Sequence, residues 1–236
     1  MGALHRAAGL ATLPDVVLVR HGRTFMNEHL AEHPWGSDGF ADPRLFDTRL
    51  SPAGRAQAAE LARALRGERA SALEGVGLVC ASPLSRALET AELALAGTAL
   101  AAAPRLALPA ARERLYLSSD VGRPRAALAA EFGGAVDWSL LGDDGAPWWF
   151  DGPWPSAAAA EWRPPGAYVC AGEPEDAFRA RMRALRAWLI ARPERAVCVV
   201  SHWGVIRALT GADEIANCAL LRIRGADLLE EPRIDA

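Results

Sequence analysis

Residues 15–22 read Asp-Val-Val-Leu-Val-Arg-His-Gly. Four consecutive apolar residues, three of them β-branched, stop abruptly at a basic residue, a histidine and a glycine. Such a run predicts a strand buried on both faces, as in a parallel sheet. The pattern returns at Ala196-Val-Cys-Val-Val-Ser201, which runs into His202-Trp203-Gly204. Between the two, Gly77–Ala81 reads as a strand and residues 105–109 as another. A helix is signalled from Ser51 by an N-cap serine, Pro52 at N1, a stripe at Gly54, Ala58, Leu61 and Leu65, and a stop at Gly67. A second helix begins at Ser82-Pro83 with Leu84, Ala87, Leu88, Ala91 and Leu95 on one face. A long one carrying Phe178, Met182, Leu185 and Leu189 ends before Pro193. A helix near 204–211 and a strand near 217–224 complete the alternation. The expected fold is α/β, a three-layer sandwich of a mainly parallel central sheet with helices on both faces. One domain spanning 1–236 is expected, with an inserted lid or cap at about 110–172, where periodicity degrades and five of the eight tryptophans gather.

Composition narrows the function. At 236 residues, 51% hydrophobic and 23% charged, the chain is globular, and the net charge of −3 argues against nucleic acid as a partner. The longest uncharged run in mid-chain, Leu93–Ala103, is far below the roughly 18 apolar residues of a membrane span. Every basic residue is arginine. Lysine chemistry is thereby excluded, and any anion must be held by Arg, His, Asn or backbone N–H. The four cysteines, Cys80, Cys170, Cys198 and Cys218, form neither CxxC nor a zinc spacing, and no signal peptide precedes the first strand, so a cytoplasmic location is expected. No metal and no cofactor are expected.

In an open α/β sheet the ligand site lies beyond the carboxyl ends of the strands. His21 and His202 each follow directly on a valine-rich strand and so belong at that edge. Arg20 flanks His21, Asn27 lies six residues on, and Arg86 stands in the first turns of the helix after the second strand. Arginine, histidine and asparagine donors with no acid among them match the needs of a phosphoryl group, whose three oxygens carry charge into the transition state. His5, His29 and His33 read as ordinary surface or packing residues.

The segments LVRHGRTFMNE (18–28), DTRLSPAGRAQA (47–58), ASPLSRALETA (81–91) and VVSHWGVIRAL (199–209) resemble, in order and spacing, the histidine phosphatase superfamily, also called phosphoglycerate mutase-like. The resemblance runs from about 15 to 210. It implies that His21 is the nucleophile that becomes phosphohistidine, that Arg20, Arg86 and His202 bind the phosphoryl oxygens, and that Thr24 and Asn27 help line the pocket. A proton donor is also required for the leaving alkoxide. Glu113, in ARERLYLSSDVGRP (111–124), is at the matching position, with Glu28 and Asp120 as the other candidates.

The sequence departs from the family where Trp203 follows the second histidine in place of a small residue, there either narrowing the pocket or stacking on a substrate ring. Arg23 replaces the usual Glu or Gln, adding charge at the pocket mouth or facing solvent. Arg112, Arg114, Arg123 and Arg125 are either a second anion site or scattered surface arginines. The substrate expected is a small phosphomonoester hydrolysed without metal. A phosphomutase and a non-catalytic phospho-ligand binder are the alternatives, and the oligomeric state is left open.

Overall fold

A computed structural model describes residues 13–38, 40–143, 147–149 and 172–229. Among them the order is β1 (Asp15–Arg20), α1 (Phe25–Glu32), α2 (Pro52–Arg66), β2 (Val76–Ala81), α3 (Ser85–Leu95) and β3 (Arg105–Ala107). There follow α4 (Arg125–Phe132), β4 (Val136–Asp137), α5 (Glu175–Ile190), β5 (Ala196–Ser201), α6 (Trp203–Thr210) and β6 (Leu220–Ile223). The six strands lie in the order β4-β3-β2-β5-β1-β6. All neighbours are parallel except β6, which runs antiparallel to β1 at the edge.

The two valine runs are side by side at the sheet centre, with Arg20 opposite Ser201 in register. Their alternation sorts the core. Val17 and Val19 of β1, Val79 of β2 and Cys198 and Val200 of β5 pack under α2, α3 and α4. Val16, Leu18, Cys80, Val197 and Val199 pack under α5 and α6. Each fully buried aliphatic side chain contributes about 1.5–3 kcal/mol relative to an exposed one, and here both faces are covered, as the unbroken apolar runs require. The three-layer α/β sandwich is the observed architecture.

Local signals act as written. Ser51 caps α2 by accepting from Gly54 N (3.3 Å), Pro52 sits at its start and Gly67 follows its end. Gly211, in the left-handed region at φ 73°, closes α6 with its N–H on Arg207 O. The second helix starts at Ser85 rather than Ser82-Pro83, because Pro disfavours helical geometry in the residue before it and the Ser82 hydroxyl is engaged by His202. The expected lid segment divides. Its described part includes α4 and β4, which join the core and the sheet, and a loop at 112–123 bearing one short 3-10 turn, Ser118–Asp120; residues 144–146 and 150–171 lie outside the described residues.

Candidate active site

His21 leaves the end of β1 and is only 5% exposed. Its backbone N–H donates to Ser201 O of β5 (3.0 Å), and its carbonyl accepts from Asn217 Nδ2 (3.0 Å). Nδ1 lies 2.8 Å from the Gly22 carbonyl. A carbonyl has no proton to give, so Nδ1 carries the hydrogen. Burial first, then the Arg86 and Arg20 charges, hold the ring's pKa well below the usual histidine value. A neutral imidazole with its proton on Nδ1 has its lone pair on Nε2, which is the form a nucleophile needs.

The glycines beside it permit a close approach of backbones. A Cβ on Gly54 would lie 1.8 Å from Arg23 O, and one on Gly22 would lie 2.7 Å from Gly54 O. The first turn of α2 therefore docks directly on the chain after His21, reinforced by Ser51 N to Arg23 O (3.0 Å). Gly22 N donates to Thr90 Oγ1 of α3 (3.0 Å), and Glu89 accepts from Leu50 N (2.9 Å) and pairs with Arg55 (2.5 Å). Three of the four sequence segments thus lock one another together around the histidine.

His202, at the end of β5, is fully buried, with its ring centroid 5.0 Å from that of His21. Its Nε2 is 2.7 Å from Ser82 Oγ, while Nδ1 is buried with no hydrogen-bond partner. Arg20 Nε and Thr48 Oγ1 are likewise buried and unpartnered, although the Arg20 guanidinium also donates to Ile215 O. An unsatisfied buried polar group costs about 1–3 kcal/mol. Of nine such atoms among the described residues, these three gather at one site. Burial, followed by the Arg86 charge, also keeps His202 neutral, so it titrates well below the usual range. Arg86, in the first turn of α3, donates to Ser119 O (2.5 Å) and to Asp120 Oδ1 (2.8 Å).

Glu113 follows a short 3-10 turn tied to β5 by Ser201 Oγ on Ala111 O (2.7 Å). Its carboxyl sits at the N-terminus of α6, accepting from Gly204 N (3.2 Å) and from its own neighbour Arg114 N (2.9 Å). Desolvation, then the Asp120 charge, outweigh these donors and raise its pKa. A carboxyl with a raised pKa holds a proton to give to a leaving oxygen. A Cβ at position 204 would lie 2.5 Å from Glu113 Oε1, so a larger residue there would displace the carboxyl. Asp120 is committed otherwise: besides Arg86 it accepts from Tyr116 N (3.1 Å) and Leu117 N (3.0 Å).

Apart from His202, which lies buried behind His21, these groups open on a cavity of about 580 Å³. Arg20, His21, Thr24, Asn27, Arg86, Glu113, Asp120 and Trp203 line it. Thr24 and Asn27 cap α1 reciprocally, Asn27 N on Thr24 Oγ1 (3.0 Å) and Thr24 N on Asn27 Oδ1 (3.1 Å), which turns the Asn27 amide so that Nδ2 is its remaining donor. Of the other residues singled out in the sequence, Arg114 also lines the cavity, paired with Glu175, and the rest lie elsewhere. Arg23 is 3.9 Å from Glu28, both on the surface. Arg123 pairs with Asp47 (2.7 Å) and Glu131 (2.8 Å). Arg112 pairs with the buried Glu173 (3.0 Å), which also takes Arg181 (2.6 Å), and Arg181 donates in turn to the carbonyls of Ala110 (2.9 Å) and Arg112 (2.8 Å). Arg125 donates to Gly142 O (2.9 Å). Thr48, Trp35, Tyr116 and Gly204 line the cavity without having been read from the sequence; the first three sit in irregular stretches with no periodic signal.

The model of the histidine phosphatase superfamily, branch 1, matches residues 16–222. The chain belongs to the histidine phosphatase superfamily. Solved structures agree in fold. The α-ribazole phosphatase from Shigella flexneri is 22% identical with a TM-score of 0.51, the alignment covering 88% of this chain and 89% of that one. A mycobacterial glucosyl-3-phosphoglycerate phosphatase is 24% identical over 89% and 92%, with a TM-score of 0.48. No curated protein sequence matched the chain. At 22% identity the likeness to the Shigella flexneri enzyme is one of fold, whereas membership of the histidine phosphatase superfamily supports phosphatase or mutase activity. Among the described residues no helix is long and apolar enough to cross a membrane, and no group of three or more His, Cys, Asp or Glu side chains is placed to hold a metal ion.

Proposed function

We propose that the protein is a phosphatase that hydrolyses a small phosphomonoester through a phosphohistidine on His21. One observation carries the reading: a neutral imidazole, its proton held on Nδ1 by the Gly22 carbonyl, lines a cavity with two arginines and a buried carboxyl of raised pKa. Nε2 attacks phosphorus while the ester bond breaks, and Glu113 gives its proton to the departing oxygen. The Glu113 carboxylate then takes a proton from water as that water displaces the histidine from phosphorus, so His21 and Glu113 return to their starting states and inorganic phosphate leaves. Arg20, Arg86, His202 and the Asn27 amide hold the phosphoryl oxygens, with guanidinium charge doing what a metal does elsewhere. The Arg86–Asp120 pair is where substrate competes, since phosphate oxygens and the carboxylate accept from the same guanidinium.

A mutase requires an acceptor hydroxyl in place of water, and an acceptor that carries its own phosphate or carboxylate needs a second anion site. The pairing of Arg112, Arg114 and Arg123 with Glu173, Glu175 and Asp47 favours the hydrolytic reading. The unpaired thiols of Cys80, Cys198 and Cys218 support the cytoplasm as its location. Rapid quench of the enzyme with labelled p-nitrophenyl phosphate in EDTA tests the proposal. Acid-labile, base-stable label on the protein is expected, and its absence in the wild type, or its presence in His21→Ala, would remove His21 as nucleophile.

A further inference from the structure

The outer part of the same cavity differs in kind from its phosphate end. Six large hydrophobic residues among those described are exposed, and three of them, Trp35 (63%), Tyr116 (43%) and Trp203 (40%), line this one pocket. They come from three separate stretches, the segment after α1, the Glu113 loop and the start of α6. Exposed aromatic surface gathered at one place marks a binding surface. Two of the rings are also held by neighbours. Trp203 Nε1 donates to Asp213 O (2.9 Å) and Arg207 stacks on its ring at 5.5 Å; Tyr116 carries Arg114 at 4.8 Å and stands 6.0 Å from Trp35, tilted by 55°. Both cations are neutralised by acids, Arg207 by Asp213 (2.8 Å) and Arg114 by Glu175. This wall therefore offers aromatic faces and no unbalanced charge for a second phosphate or carboxylate. Met26, Leu30, Leu117 and Phe178 continue it.

We infer that the alcohol released by this enzyme carries an aromatic ring system, seated between Trp35, Tyr116 and Trp203 while its phosphate lies at His21. The inference rests on the phosphatase reading of the inner site and adds the substrate class to it. Each ring contact of this kind is worth about two- to twelvefold in selectivity, since an aromatic pair contributes about 0.5–1.5 kcal/mol beyond area burial.

Two measurements test it. The first is kcat/KM for benzyl and naphthylmethyl phosphate against glycerol 1-phosphate and ribose 5-phosphate. The ring esters are expected to lead by at least about tenfold, and that ratio is expected to fall about tenfold in Trp203→Ala and Tyr116→Ala while surviving in Trp203→Phe. The second is calorimetric binding of benzylphosphonate against methylphosphonate, which needs no turnover. Turnover of all esters without preference for rings, or a ratio unmoved by both alanine variants, overturns the inference alone. Preferential binding of benzylphosphonate with no turnover of any ester upholds ring recognition and overturns the phosphatase reading. Equal binding of the two phosphonates overturns the inference whatever the turnover.

Discussion

The cavity is made by two regions built on different principles. The phosphate end stands on regular structure: His21 and His202 extend adjacent central strands, Arg86 rides on the first turn of α3, and backbone hydrogen bonds and glycine contacts set their positions. The loop at 112–123, which supplies Glu113, Tyr116 and Asp120, has one short 3-10 turn and is held by buried charge, chiefly Glu173 between Arg112 and Arg181. A phosphoryl group is the same in every substrate, so its binding elements are rigid. The leaving group is what varies between enzymes, and a loop braced by side chains is where such variation is accommodated.

That contrast is open to direct attack. His21→Ala removes the proposed nucleophile and is expected to lower kcat by about 10⁴-fold or more with an unchanged circular dichroism spectrum. Loss of less than tenfold in steady-state assays would place the nucleophile elsewhere. Glu113→Gln keeps the shape and deletes the proton; alkyl esters are expected to slow by about 10²–10⁴-fold and p-nitrophenyl phosphate, whose leaving group needs little help, by far less. Equal losses on both would show that the loop does not deliver the acid.

Glu173→Gln acts on the brace alone. With Arg112 already held down to about 10 by burial and the neighbouring Arg181 charge, removing its carboxylate is expected to cost about 3–5 kcal/mol in urea unfolding. Turnover of alkyl esters should fall more than that of p-nitrophenyl phosphate, because the acid is displaced while the phosphate end persists. The smallest effect is on pH. As the proposed proton donor Glu113 must be protonated, so kcat/KM for alkyl esters is expected to fall as pH rises through its raised pKa. Asp120 is the charge that adds to that elevation after burial. Asp120→Asn therefore moves this alkaline limb to lower pH, and a limb that stays put or moves upward contradicts the coupling.

What was legible in the sequence follows the same division. Strand ends are marked by where an apolar run stops, so His21 and His202 were placed correctly with respect to the sheet, and Ser51, Pro52 and Gly67 bounded α2 through local cap chemistry. The braced region was not legible, because its determinants are long-range: Arg112 meets Glu173, Arg123 meets Asp47, and Arg86 meets Asp120 only after folding. Counting arginines reveals charge but not which acid neutralises it. α1 lacks a continuous buried face, with Met26 alone buried, and β4 has two residues, too short for any period. Trp35 and Thr48 reach the cavity from irregular chain, where sequence offers no geometry.

The Gly22 carbonyl has a stereochemical consequence. By keeping the hydrogen of His21 on Nδ1, it leaves only the τ nitrogen free to bond phosphorus in the proposed mechanism, so a single regioisomer of phosphohistidine is expected in the ¹⁵N-coupled phosphorus spectrum. One fixed nitrogen visited twice also means two inversions at phosphorus. An ester made chiral with oxygen isotopes would hand its phosphoryl group to an acceptor alcohol with its configuration retained.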